Sequence, residues 1–159
     1  MASVWQEPIF DRTPKDVEFA IKKIAEWIAA GEPTDVYDLK GCLNVSDINR
    51  IEGNIAYLSK KLTEYDYPSS VTTKKWTKGD LPTEQDIQRI IENIRLVING
   101  FYQPSNSPSL PEAMLSYEDI NSIERNIDLI RYLLDCMESS FRKANAFQSG
   151  STMFLPIRR

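Results

Sequence analysis

One nine-residue phrase recurs along this chain, and repetition at helical spacing restricts the fold more than any overall property does. Asp47-Ile48-Asn49-Arg50-Ile51-Glu52-Gly53-Asn54-Ile55 returns 72 residues later as Asp119-Ile120-Asn121-Ser122-Ile123-Glu124-Arg125-Asn126-Ile127, identical at seven of nine positions. Between them, Asp86-Ile87-Gln88-Arg89-Ile90-Ile91-Glu92-Asn93-Ile94 keeps the Asp, three Ile and the Asn in place. A fainter version, Asp16-Val17-Glu18-Phe19-Ala20-Ile21-Lys22-Lys23-Ile24, opens the chain, and the units begin 31, 39 and 33 residues apart.

A short polar residue stands three positions before each Asp: Thr13, Asn44, Thr83 and Ser116. That spacing is a capping box, in which the N-cap side chain accepts an otherwise unpaired amide and the acidic residue reaches back to the cap. Pro14 then falls at the first helical position, where its missing N–H costs nothing. Behind each cap, apolar residues recur at intervals of three and four. Ile48, Ile51, Ile55, Leu58 and Leu62 form one seam; Ile87, Ile90, Ile94, Val97 and Phe101 a second; Ile120, Ile123, Ile127, Ile130, Leu134 and Met137 a third. Val17, Ala20 or Ile21, Ile24 and Ile28 form the first helix's version. Gly31 and Gly100 supply stop signals.

These signals predict an all-α fold: a bundle of about four amphipathic helices near residues 14–30, 45–63, 84–99 and 117–145, with long loops. None of the four can bury its stripe alone, so they pack on one another. Antiparallel neighbours are expected, with the capped Asp residues at alternating ends. Residues 1–146 form the helical domain on this reading, and 147–159 form an extended C-terminal arm. The 65–80 loop is rich in aromatics and Lys and leaves room for a short strand at 71–76, whereas the Pro- and Ser-rich 103–111 is expected to be extended.

The same residues narrow the chemistry. There is no His, which removes the commonest general base and metal ligand. No phosphate-cradling Gly pattern is present. Asp16, Asp47, Asp86 and Asp119 are accounted for by capping, and Glu52 and Glu124 make no ladder with a cation one helical turn on. Neither a catalytic residue, a metal ligand nor a cofactor is expected. Cys42 and Cys136 belong to no ligand spacing and are expected to be reduced and largely buried. Asn54, Asn93 and Asn126, each just before a seam Ile, are placed to bond a neighbouring helix or the backbone of a loop and so fix register.

Positions 139–159 carry +4 and the remainder of the chain −8. A body of −8 repels phosphate, so no nucleic-acid partner is expected. No basic amphipathic stripe or apolar run suits a membrane, and the N-terminus lacks an export signal, so synthesis in the cytoplasm is expected. The arm combines Met153, Phe154, Leu155 and Ile157 with Arg158 and Arg159. Its apolar and basic side chains, with Trp5, Phe10, Tyr67 and Trp76 from outside the helices, are the candidate assembly contacts. Trp27 is assigned to the core.

The stretch Val4-Trp5-Gln6-Glu7-Pro8-Ile9-Phe10-Asp11-Arg12-Thr13 before Asp16-Val17, and Leu43-Asn44-Val45-Ser46-Asp47-Ile48-Asn49-Arg50-Ile51-Glu52-Gly53-Asn54-Ile55-Ala56-Tyr57-Leu58, resembles segments of structural proteins from tailed phages and prophages of Gram-positive bacteria. Those proteins are associated with tails, baseplates or fibres. The resemblance covers about a third of the chain. It implies a non-enzymatic virion component that assembles with other tail or baseplate proteins and with copies of itself. The alternative from the residues is a glycan- or host-surface-binding module that uses Tyr65, Tyr67, Trp76 and Tyr102 as stacking platforms.

Overall fold

The computed structural model describes residues 4–34, 37–67, 69–114 and 116–151. Its four helices are α1 (Pro14–Ala30), α2 (Val45–Glu64), α3 (Glu84–Gly100) and α4 (Tyr117–Ser151), and no strand occurs among the described residues. The chain is thus an all-α bundle. Residues 71–76, where a strand was possible, are extended without a partner strand. The last helix runs six residues past its expected end, so residues 147–151, assigned to the arm, are helical; 152–159 lie outside the described residues.

Capping places the starts correctly. Thr13 and Thr83 each accept a hydrogen bond from the amide three residues on, while Asp16 and Asp86 accept from the cap amides at 2.8 and 3.1 Å. Ser116 and Asp119 repeat the exchange at 3.2 and 2.9 Å. Asn44 differs: its side chain turns back to Leu39 and Cys42 and holds the preceding loop, while Asp47 still accepts from the Asn44 amide. The Thr13 and Thr83 hydrogen bonds hold the Asp16 and Asp86 carboxyls below their ordinary value of 3.8. A depressed folded-state pKa gives stability that is present above the unfolded value and lost as pH falls through the folded one. Thermal melts should therefore show an acid-side loss beginning near pH 4, and Asp16→Asn with Asp86→Asn should flatten it.

The core comes from α2, α3 and α4, each packed on the other two. Every α2 seam residue is buried, as are Ile90, Ile94 and Val97 of α3 and Ile120, Ile123, Ile127, Ile130 and Leu134 of α4. α1 contributes unequally: Ala20 is its one buried residue among those described, and Ile21 and Ile28, expected in a seam, are 65% and 66% exposed. It lies beside the starts of α2 and α4. Val17 borders the same depression as Ser116, Tyr117 and Ile120, and Ile24 the same one as Val45 and Gly79. The close approach requires Gly41, because a Cβ there would sit 2.1 Å from the Asp16 carbonyl oxygen.

The three core helices run parallel, not antiparallel as expected. Arg50, near the start of α2, meets Glu124 near the start of α4; Glu52 meets Arg89 near the start of α3; and Lys61 and Glu138 meet toward the far ends of α2 and α4. Parallel neighbours need a connection long enough to return the chain to its starting end. The 19 residues between α2 and α3 and the 16 between α3 and α4 provide one, since an extended residue advances about 3.3 Å against 1.5 Å in a helix. The links that were long for an antiparallel bundle are the return segments of a parallel one.

Candidate assembly surfaces

Numbering each unit from its Asp as position 1, the polar residues at positions 3 and 8 clip the extended segments into the grooves between helices. At position 8, the Asn54 side chain exchanges two hydrogen bonds with the Gln6 backbone, at 2.9 and 2.7 Å, and Asn93 does the same with Thr72, at 3.3 and 2.7 Å. Asn126 donates to the Pro108 carbonyl at 2.9 Å, but Pro108 has no N–H to return, and the Asn126 Oδ1 has no hydrogen-bond partner among the described residues. At position 3, Asn49 exchanges two bonds with Trp76 and Asn121 two with Arg12, while Gln88 donates to the Glu112 carbonyl at 2.6 Å.

These pairings follow a threefold cycle. Segment 4–12 is held by position 8 of α2 and position 3 of α4; segment 69–76 by α3 and α2; segment 103–112 by α4 and α3. Advancing each helix by one converts each case into the next. Each segment therefore runs from mid-bundle back toward the helix starts. The expectation that Asn54, Asn93 and Asn126 bond to loop backbone holds; the matching role of Asn49, Gln88 and Asn121 escaped the sequence reading, although their shared register was its signal.

Positions 4 and 6 carry buried charge. Glu124, 1% exposed, accepts from the Arg50 Nε at 3.0 Å and Nη2 at 2.7 Å, from the Arg12 Nη1 at 3.2 Å, and from the Ile9 amide at 2.7 Å. Asp47 adds contacts to the Arg12 and Arg50 Nη2 atoms at 2.8 and 2.6 Å, so capping is only half of its role. Two guanidinium and two carboxylate groups make a neutral buried cluster. Burial by itself would lower the Arg50 pKa, but hydrogen bonding and charge from Glu124 and Asp47 outweigh it and raise it. One step around the cycle, Glu52 takes Arg89 at 2.5 and 2.9 Å and the Trp76 indole N–H at 3.1 Å, and the Arg89 pKa rises through that pairing. At the third junction both partners are missing together: position 6 of α3 is Ile91, fully buried, and position 4 of α4 is Ser122. Matched loss is what buried charge requires, because a lone Glu or Arg there would be desolvated without compensation.

Of the candidate contacts outside the helices, Trp76 is internal, and Trp5, Phe10 and Tyr67 are half-buried. Trp76 is 2% exposed and belongs to the core. Tyr67 stands edge-on to Phe101 at 5.0 Å, Trp5 lies against Tyr57 at 5.7 Å, and Phe10 lies under the Arg125 guanidinium at 4.8 Å. All four fasten an extended segment to the helices, because the segments lie in grooves and do not project as loops. Trp27 is half-buried against Tyr37 and outside the core cluster. Met153, Phe154, Leu155, Arg158 and Arg159 lie outside the described residues.

The reactive groups are similarly committed. Among the described residues no group of three or more His, Cys, Asp or Glu is placed to hold a metal ion. Burial and the neighbouring Asp47 charge push the Cys42 thiol up, away from the thiolate that nucleophilic chemistry needs. Cys136 is exposed, contrary to the expectation of two buried thiols, because it falls off the α4 seam, and both cysteines are free. Large apolar side chains that stay exposed include Phe19, Ile21 and Ile28 on α1 and Phe141 on α4, whose ring lies 6.2 Å from that of Tyr65. No family model matches the chain, and neither the curated proteins nor the solved structures yield a match.

Proposed function

We propose that the protein is a non-enzymatic structural subunit of a phage-like tail or baseplate, working through assembly with other tail or baseplate proteins and with copies of itself. One observation carries the reading: buried charges are paired within the chain, while large apolar side chains, Phe19, Ile21 and Ile28, stay exposed on α1. Such a surface fits contact with other proteins. The resemblance of residues 4–17 and 43–58 to phage structural proteins supplies the setting, a virion built in the host cytoplasm. Of the four rings the glycan-binding alternative would use, Trp76 is buried and Tyr67 is held against Phe101, which leaves it Tyr65 and the exposed Tyr102.

Removing residues 152–159 in a producing host tests the proposal. The truncated chain should remain a folded helical bundle by circular dichroism yet be missing from purified particles, which should contain the intact chain. Finding neither form in particles contradicts the proposal.

A further inference from the structure

The three extended segments lie in equivalent grooves but are not held equally. Segment 4–12 exchanges two hydrogen bonds with Asn54 and two with Asn121, gives its Ile9 amide to Glu124, and buries the Arg12 guanidinium against Glu124 and Asp47. Segment 69–76 exchanges two with Asn93 and two with Asn49, and gives Glu52 the Trp76 indole N–H. Segment 103–112 receives two, from Asn126 to the Pro108 carbonyl and from Gln88 to the Glu112 carbonyl, and among the described residues it donates none to a helix in return. Pro104, Pro108 and Pro111 have no N–H to give.

The charge beneath the segments differs in the same way. Position 6 of α4 and of α2 carries the glutamate that accepts a segment amide, from Ile9 at 2.7 Å and from Lys74 at 3.4 Å; in α3 that position is the fully buried Ile91. Lifting segment 4–12 or 69–76 strips partners from a buried carboxylate, which is costly, whereas lifting 103–112 unpairs no buried charge. It also lets water reach the Asn126 Oδ1, which has no hydrogen-bond partner among the described residues, and this offsets part of the packing lost at Pro104 and Leu110. Length permits the movement: the 16 residues between α3 and α4 reach about 53 Å when extended, against about 25 Å for the return along α3. Three prolines keep the freed segment stiff, so it docks again with little loss of chain entropy. We propose that residues 103–112 form a strap that releases from the α3–α4 groove while the other two segments and the helices stay in place, uncovering Ile91 and Asn126.

The side-chain amides of Asn54, Asn93 and Asn126 read the three segments separately, since each is buried and donates to a carbonyl of its own segment. Their exchange with deuterium can be followed by nuclear magnetic resonance on the unaltered full chain. Exchange at Asn126 should be at least about tenfold faster than at either of the others, even though Asn126 also donates to the Ser122 carbonyl within its own helix. Urea below the unfolding transition should leave the Asn126 rate nearly constant, because releasing one short segment exposes little surface, and should accelerate Asn54 and Asn93. A smaller difference between Asn126 and the other two overturns the inference, and so does an Asn126 rate that climbs with urea as steeply as theirs. The measurement uses purified protein without particles, so its failure leaves the proposed function to the particle experiment.

Discussion

Replacing Glu124 with Ala should lower stability by about 3–5 kcal/mol, the cost of leaving buried charge unpaired. Four hydrogen bonds converge on this carboxylate, from Arg50 twice, from Arg12 and from the Ile9 amide, and the side chains of Arg12, Arg50 and Glu124 are 1%, 10% and 1% exposed. Truncation leaves two guanidinium groups facing Asp47 alone. Urea unfolding should show the change as a shift in midpoint, and the melting temperature should fall by about 6–20 °C, given some 2–4 °C per kcal/mol for a domain of this size. Glu52→Ala should cost less, because the Arg89 side chain is 24% exposed and can turn to water. The third junction offers a control: Glu124→Ile combined with Arg50→Ser copies the Ile91 and Ser122 arrangement and leaves Asp47 balanced by Arg12. That double variant should be more stable than Glu124→Ile alone, and the non-additivity measures the coupling between the two side chains.

Trp76→Ala should cost about 3–5 kcal/mol, in the range for emptying a fully buried indole site. The ring fills core space between α2 and the return segment, its N–H donates to Glu52, its backbone is clipped by Asn49, and the Lys74 ammonium sits 3.9 Å from the ring centre. Removing the ring opens a cavity and releases one donor to Glu52, so the segment should loosen where it is held most firmly. Cooperative unfolding at lower urea is expected. A Trp76→Ala chain that unfolds like the native one would return Trp76 to the role of a partner contact.

The parts of this fold that are local in origin were readable from the residues. A Thr or Ser three positions before an Asp determines where a helix starts, because the hydrogen bonds involved close within one turn. The Ile seams followed from period alone, and the α2 seam is buried throughout. Orientation was not readable that way. A seam looks the same in parallel and antiparallel packing, and the distinguishing information is the length of the links. The buried pairs were hidden for a related reason: Arg12, Asp47, Arg50 and Glu124 are up to 112 positions apart, and only the threefold arrangement brings them together. Trp76 was misplaced because a segment outside the helices was taken to face outward, when position 3 and position 8 amides hold it in a groove. For α1, periodicity identified the apolar side but not whether anything would cover it.

The central claim is that three units, each an extended segment and a helix, stand parallel around a threefold axis. Spin labels at Ser46, Gln85 and Glu118 test it most directly, since each is exposed and immediately precedes the Asp of its unit. With Cys42 and Cys136 replaced, the three pairwise distances are measured in doubly labelled chains by pulsed electron resonance. Parallel helices packed about 8–10 Å apart predict three distances within about 10 Å of one another. An antiparallel helix would move its label about 25 Å along the bundle axis, the length of a 17-residue helix, so two of the three distances would exceed the third by more than about 10 Å, and that result would contradict the account.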